Sequence, residues 1–213
     1  MVDLHDIRRS YTLDKLTEEN INDCPFKQFE QWLEEVIQGK VPDPTAMVLS
    51  TVDADNAPDS RIVLLKDQVP DGFVFFTNYS STKAQNISLN PHVSLHFPWH
   101  FMERQVGIKG IAQKLSKAES MRYFLSRPKE SQLAAFASRQ SQRVNSRQIL
   151  MQQFDAIKEK FKNGEVPMPD FWGGYKVTAT QIEFWQGGEH RLHDRFVFKK
   201  SGDGYWQRDR LQP

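Results

Sequence analysis

Residues 181–195 read QIEFWQGGEHRLHDR, which gathers a Trp, two Gly, two His, two Arg, two Glu and an Asp into one short stretch. A strand that only fills a core does not carry so many groups that are costly to desolvate. Arg and His are side chains that grip anions and electron-rich rings. If 189–198 is a strand, alternation sets Arg191, His193 and Arg195 on one face and Leu192, Asp194 and Phe196 on the other. Behind a flexible Gly187-Gly188 turn, that trio reads as one wall of a binding site.

Other segments offer similar chemistry. Arg61 and Lys66 bracket an apolar run, RIVLLK. Residues five apart on a regular strand face opposite ways, so the two cations are expected to serve different anions unless a bulge re-aims one. The plainer account is that both reach solvent. Thr77, Ser80, Ser81, Thr82 and Lys83 form a hydroxyl-rich entry to a helix, which suits a phosphate or simple N-capping. Tyr123, Arg127 and Ser131 are spaced four apart and would share a face of one continuous helix, a possible phosphate grip. Pro128 interrupts that helix, and a surface Arg is the alternative. Gln105, Gln140 and Ser141 are uncharged hydrogen-bonding groups beside these segments. Trp172-Gly173-Gly174 permits a close backbone approach, or a tight turn behind an anchoring Trp.

Several familiar chemistries find no support. There is no Walker A or GxGxxG pattern and no nucleophile elbow. His92, His96 and His100 recur every four residues, but Pro91 and Pro98 argue for a strand, which does not gather them as ligands. No metal is expected there or at His190, His193 and Asp194. Cys24 has no neighbouring His and reads as a structural thiol.

The elements that must position these residues follow from periodicity. Asn22 or Asp23 is expected to cap a helix with Pro25 in its first turn, and Phe26, Phe29, Trp32, Leu33, Val36 and Ile37 form its stripe up to Gly39. Strands are expected over 45–52, 60–66, 73–77, 92–99 and 104–115, with a short helix over 80–89. Ser116 and Glu119 form a capping box opening a helix to about 126, with another over 131–138. Residues 145–162 read as the clearest long helix, with Leu150, Phe154, Ile157 and Phe161 on one face. Strands return over 175–184, 191–199 and 205–210. The fold class is therefore α+β: one domain over 22–213 with a closed or partly closed antiparallel β-barrel and surrounding helices, preceded by a mobile arm over 1–21.

The bulk composition narrows the class. A chain of 213 residues can bury a core without staples, and its single Cys excludes an internal disulfide. A net charge of +1 gives no polyanion-binding field. No secretory leader pattern and no membrane-length apolar run is visible, so a cytoplasmic location is expected. An RNA-binding barrel using exposed aromatics is a rival that the near-zero charge disfavours.

The segments DPTAMVLSTVD, RIVLLK, VFFTN, NPHVSLHFPW, ERQV, YFLSRP, SRQSQ, FWGGYKV and QIEFWQGGEHRLHDRF together resemble the pyridoxine/pyridoxamine 5′-phosphate oxidase family over roughly 40–213. The resemblance implies an FMN-binding split barrel, a homodimer with FMN at the subunit interface, and oxidation of pyridoxamine or pyridoxine 5′-phosphate to pyridoxal 5′-phosphate by O2, with release of H2O2. It implies cofactor contacts at Arg61, Lys66, Phe76, Thr77, Thr82, Lys83, Gln105, Gln140, Ser141, Trp185 and Arg195, some from the second subunit. It implies substrate contacts at Arg8, Tyr11, Lys66, Tyr123, Arg127, Ser131, Arg191 and His193, with Arg191 and His193 nearest the chemistry. Thr82 stands where the family usually has Arg, and Phe76 where it often has Tyr. The other reading within this fold is a non-catalytic FMN- or pyridoxal-phosphate-binding protein, which should lack the substrate set. Neither nucleic acid nor membrane is an expected partner.

Overall fold

A long strand near the end of the chain organises the molecule. In the computed structural model, which describes His5 and residues 9–213, β7 (Trp172–Gln186) is 15 residues long. Before it run β1 (Ala46–Val52), β2 (Pro58–Leu64), β3 (Asp67–Val69), β4 (Gly72–Asn78), β5 (His92–Phe97) and β6 (Arg104–Lys114), and after it β8 (Asp194–Lys200) and β9 (Trp206–Leu211). All paired neighbours are antiparallel, in the order β2-β1-β5-β6-β7-β4-β3, with β8 and β9 branching from β7. β6 follows one edge of β7 throughout. The other edge pairs with β4 over Trp172–Thr178 and with β8 over Gln181–Gln186. The sheet therefore forks at the middle of β7, where β6 shifts register between Lys109 and Gly110. The expected split barrel is the consequence of that fork.

Alternation in the strands fills the interior. Met47, Leu49, Leu95, Phe97, Val106, Ile108, Ile182, Phe184, Phe196 and Phe198 all point inward and are buried. Helix α1 (Pro25–Gln38) closes one end: Phe29 meets Phe73, Phe97 and Trp99 at centroid distances of 4.8, 4.9 and 5.6 Å. Its stripe is as expected except that Ile37 is exposed, and its N-cap is Cys24 rather than Asn22 or Asp23, with no side-chain cap.

A second, smaller core lies outside the barrel. Helices α3 (Lys117–Ser126), α4 (Lys129–Ala137) and α5 (Arg147–Lys160) gather around Phe124, Leu133, Val166 and Trp172. The Ser116–Glu119 capping box forms. Arg127 leaves the helix in an extended conformation, as steric conflict with Pro128 requires. Although 145–162 reads as the clearest long helix, α5 fully buries nothing; Phe154, Ile157 and Phe161 only rest against this cluster. The short helix α2 (Thr82–Leu89) leads into β5.

Two further expectations change, and two short elements were not anticipated. Residues 189–191 are not strand but a 3-10 turn, Glu189–Arg191, and β8 begins only at Asp194. β3 and the 3-10 turn His100–Met102 had no clear periodic signal. Residues 9–21, expected as part of a mobile arm, pack onto the domain: Leu16 and Ile21 are buried in the main core, and Arg104 Nη2 donates to Asp14 at 2.6 Å. Arg8 lies outside the described residues.

Candidate functional site

Most of the predicted site residues fall into two cavities that share no lining residue. The first, of about 560 Å³, is bounded by β2, β4, α3 and α4. Arg61 and Lys66 both line it, contrary to the opposite-face expectation. The reason is that β2 ends at Leu64, so Lys66 lies beyond the regular strand and alternation no longer governs it. Arg61 is oriented by Nη1, which donates to Leu49 O at 3.1 Å and Thr51 Oγ1 at 2.8 Å, and by an ion pair with Asp59.

Lys83, in the first turn of α2, is buried at 8% exposure. Burial, and then the nearby Arg61 charge, pulls its ammonium below the ordinary lysine value, with Asp59 opposing. Its Nζ donates to Gln140 Oε1 at 3.0 Å, and Thr77 Oγ1 donates to the same oxygen at 3.2 Å. The Gln140 carbonyl thus holds two donors that a phosphate oxygen could take. Ser81, the N-cap of α2, donates to Asn78 O and makes no side-chain cap, so simple capping does not explain the hydroxyl-rich entry.

Arg127 borders the same cavity, with Lys66 and Tyr123. Its Nη1 is buried without a hydrogen-bond partner, and burial pulls its pKa below the ordinary arginine value. A buried guanidinium nitrogen left unpaired is costly and suits a site whose anion arrives with the ligand. Phe76 lies flat against Tyr123 at 3.9 Å and against Trp172 at 5.3 Å.

The second cavity, of about 840 Å³, is bounded by the arm, β6, β7 and the 189–193 turn. Gln105, Trp185 and Arg195 are cross-strand neighbours, so they form one row across β6, β7 and β8. Arg195 is held by Glu183, with Nε and Nη2 donating to Oε1 at 2.8 and 2.7 Å. Arg191 and His193 line the cavity, but through the turn rather than strand alternation. His190 and Arg191 have φ of 56° and 63°, left-handed conformations that cost energy in non-glycine residues. Gly187 and Gly188 supply close approach: a Cβ on Gly187 would meet Tyr11 Cγ at 2.8 Å, and one on Gly188 would meet Leu192 O at 2.3 Å.

Gly188 N–H donates to His193 Nδ1 at 3.1 Å. An acceptor nitrogen carries no proton, so the neutral ring keeps its proton on Nε2 and can donate it to a ligand oxygen. Trp185 packs on His193 at 4.5 Å, and Tyr11 packs on both rings at 6.0 and 5.8 Å. The arm is further tied by Arg9, which donates to His100 O at 2.5 Å.

The first cavity therefore brings together Arg61, Lys66, Phe76, Thr77, Lys83, Tyr123, Arg127 and Gln140. The second brings together Tyr11, Gln105, Trp185, Arg191 and His193, with Arg195 beside them in the strand row. Thr82 is exposed and Ser131 half-buried; neither lines either cavity. Ser141, with φ of 67°, lies in a neighbouring groove with Gln140. Sequence reasoning missed Asn78, Trp172 and His190 as lining residues. The Trp-Gly-Gly start of β7 was the available signal for Trp172. Among the described residues, no three His, Cys, Asp or Glu side chains assemble as a metal site. No helix among them is long and apolar enough to cross a membrane.

Comparison with known proteins gives a consistent result. A family described as "Pyridoxamine 5′-phosphate oxidase" matches residues 33–161, and a "Pyridoxine 5′-phosphate oxidase C-terminal dimerisation region" matches 172–213. The chain is 58% identical to a pyridoxine/pyridoxamine 5′-phosphate oxidase of Pseudoalteromonas translucida, covering 99% of each. It is 58% identical to one of Teredinibacter turnerae, over 100% of each, and 55% to one of Vibrio vulnificus, also over 100% of each. Among solved structures, PhzG from Burkholderia lata 383, in complex with tetrahydrophenazine-1-carboxylic acid, superimposes with a TM-score of 0.88 at 24% identity, covering 94% of this chain and 99% of that one. A pyridoxamine 5′-phosphate oxidase-related, FMN-binding protein of Nostoc punctiforme superimposes with a TM-score of 0.72 at 11% identity, covering 89% and 97%. These two likenesses show the shared fold.

Proposed function

Because the chain belongs to the pyridoxine/pyridoxamine 5′-phosphate oxidase family, we propose that its two cavities are the two halves of one flavin-and-substrate site, completed only when a second copy joins them. The activity is that of the family: oxidation of pyridoxamine or pyridoxine 5′-phosphate to pyridoxal 5′-phosphate. The observation that carries the two-half reading is the placement of Trp172 and Trp185. They line different cavities from opposite ends of β7. At roughly 3.3 Å per residue, the strand between them spans up to about 40 Å. One flavin cannot touch both ends, but a homodimer can bring one end of each copy together. The match of 172–213 to a dimerisation region supports the same arrangement.

In this reading the flavin is flavin mononucleotide. Its phosphate goes to Arg61, Thr77 and Lys83, with the Gln140 amide yielding the two donors it now holds. Thr82 sits beside this group with only a hydroxyl to offer, and Ser141 with its left-handed backbone. Phe76 contributes through its backbone. Gln105, Trp185 and Arg195 of the other copy line the ring. When bound, this cofactor supplies the two-electron acceptor that takes hydride from the substrate C4′ carbon and passes electrons to O2. The donor set fits such a ligand: a buried Lys and an unpaired buried Arg nitrogen await phosphate groups.

The protein's own task is placement. Lys66, Tyr123 and Arg127 hold the substrate phosphate, with Ser131 on the adjoining helix. Holding the ring this way supplies the proximity and orientation that make the transfer effectively intramolecular. His193 donates Nε2–H to the ring's 3-oxygen, and Arg191, fixed by the strained turn, holds the amine or alcohol beside the reacting carbon. Tyr11 covers the cavity and excludes water; Arg8 is kept as a substrate contact on the family resemblance alone. Among the residues lining the second cavity there is no carboxylate, so no strong base is placed at the reacting carbon, which suits hydride abstraction with little proton chemistry.

A flavin-dependent peroxide assay tests the oxidase against a non-catalytic binding protein. Purified protein should be yellow, and H2O2 should appear only when pyridoxamine or pyridoxine 5′-phosphate is added. A protein that binds flavin mononucleotide and pyridoxal 5′-phosphate yet releases no peroxide would reverse the assignment.

A further inference from the structure

Trp172 is a cavity residue with no assigned task, and its surroundings give it one; this rests on the reading of Lys66, Tyr123 and Arg127 as the phosphate grip. Arg127 has no carboxylate partner among the described ion pairs, and its Nη1 is buried without a hydrogen bond. What holds it is aromatic: its Cζ lies over the Trp172 ring at 4.8 Å and over the Phe124 ring at 5.8 Å. Trp172 is itself buried at 6% exposure, and it packs edge-on against Phe124 at 5.2 Å. Phe76 lies parallel to Trp172 with an interplanar angle of 11°, and Tyr123 lies on Phe76 at 20°. One stack therefore supports both Arg127 and Tyr123. Gly174 makes room for it, since a Cβ there would meet the Phe76 ring at 2.8 Å.

A ring face holds a guanidinium without cancelling its charge, whereas a carboxylate would neutralise it and compete with an incoming phosphate. We infer that Trp172 is a positioning residue: it seats the Arg127 guanidinium, and through Phe76 the Tyr123 ring, in the geometry that grips the substrate phosphate. Affinity for phosphorylated ligands then depends on an aromatic seat in place of an ion pair.

The test uses the full-length, flavin-loaded protein carrying Trp172→Leu or Trp172→Phe, each alone and combined with Arg127→Ala. Steady-state kinetics with pyridoxamine 5′-phosphate are read beside calorimetric titration with pyridoxal 5′-phosphate. Trp172→Leu should raise KM and the product Kd about 3- to 30-fold, the range a cation–π contact supports, with the smaller part of any loss in kcat. Trp172→Phe, which keeps a smaller ring face, should show a reduced form of the same effect. In the Arg127→Ala background the changes at Trp172 should weaken binding much less, by only the share that passes through Phe76 to Tyr123. Unchanged KM and product Kd in Trp172→Leu would overturn the proposal, as would a penalty of equal size with Arg127 already removed. If Trp172→Leu does not fold, the Trp172→Phe pair decides by the same criterion. Arg127→Ala with normal KM would instead bring down the phosphate-grip reading, and Trp172's task with it.

Discussion

Lys83 is a cation kept where a cation is expensive. Burial, and then Arg61, lowers its pKa, so its neutral form is reached at a lower pH than in water. Only the protonated form attracts a phosphate. Flavin affinity is therefore full below the folded-state pKa and falls as pH rises through it, and the fall should begin below the ordinary lysine value of 10.5. Fluorescence titrations of flavin-free protein from neutral to alkaline pH should show this loss, and Lys83→Arg should remove it, because guanidinium stays charged. A pH-independent affinity in the unmodified protein would contradict the assignment. In the proposed reading Arg191 belongs to the chemistry and not to cofactor retention. Arg191→Ala should lower kcat by roughly 10²-fold, the scale of losing one positioned electrostatic partner. Bound flavin per subunit should stay near normal; equal losses of flavin and turnover would remove Arg191 from its role.

At the scale of elements, the barrel was legible from short β-branched and apolar runs between turns, and some of its strands alternate between core and exterior, as in β1, where Met47, Leu49 and Thr51 are buried and their neighbours are not. α1 was legible for the same reason at helical period. Phe29→Ala should destabilise the domain by about 3–5 kcal/mol, seen as a lower urea midpoint with an unchanged m-value. The 189–193 turn was not legible. Its glycines suggested the turn, yet the left-handed residues are His190 and Arg191, a conformation their side chains do not advertise. The grouping of Arg191 with His193 survived for a different reason than alternation. Gly187→Ala would drive a Cβ into Tyr11. It should raise KM for substrate while flavin content holds, and an unchanged KM would remove Tyr11 from the substrate side.

At the scale of the molecule, long-range register hid the most. Which residues share a cavity depends on how β4, β6 and β8 align along β7, and periodicity within a segment carries no such information. Lys66 joined Arg61 in one cavity because β2 stops early, and Arg191 was separated from Arg127 because β7 is long. The family resemblance supplied the proposed ligand for each group; the fork in the sheet sets the two groups at opposite ends of β7. The most direct test mixes two disabled variants, one with Lys83→Ala and Arg127→Ala, the other with Arg191→Ala and Trp185→Ala. Each alone should be nearly inactive. Unfolded and refolded together, random pairing puts one intact site in each mixed dimer, restoring about a quarter of normal turnover if sites act independently. Activity of the mixture no greater than the average of the two inactive variants, with mixed dimers present by native mass spectrometry, would contradict a site built from two copies.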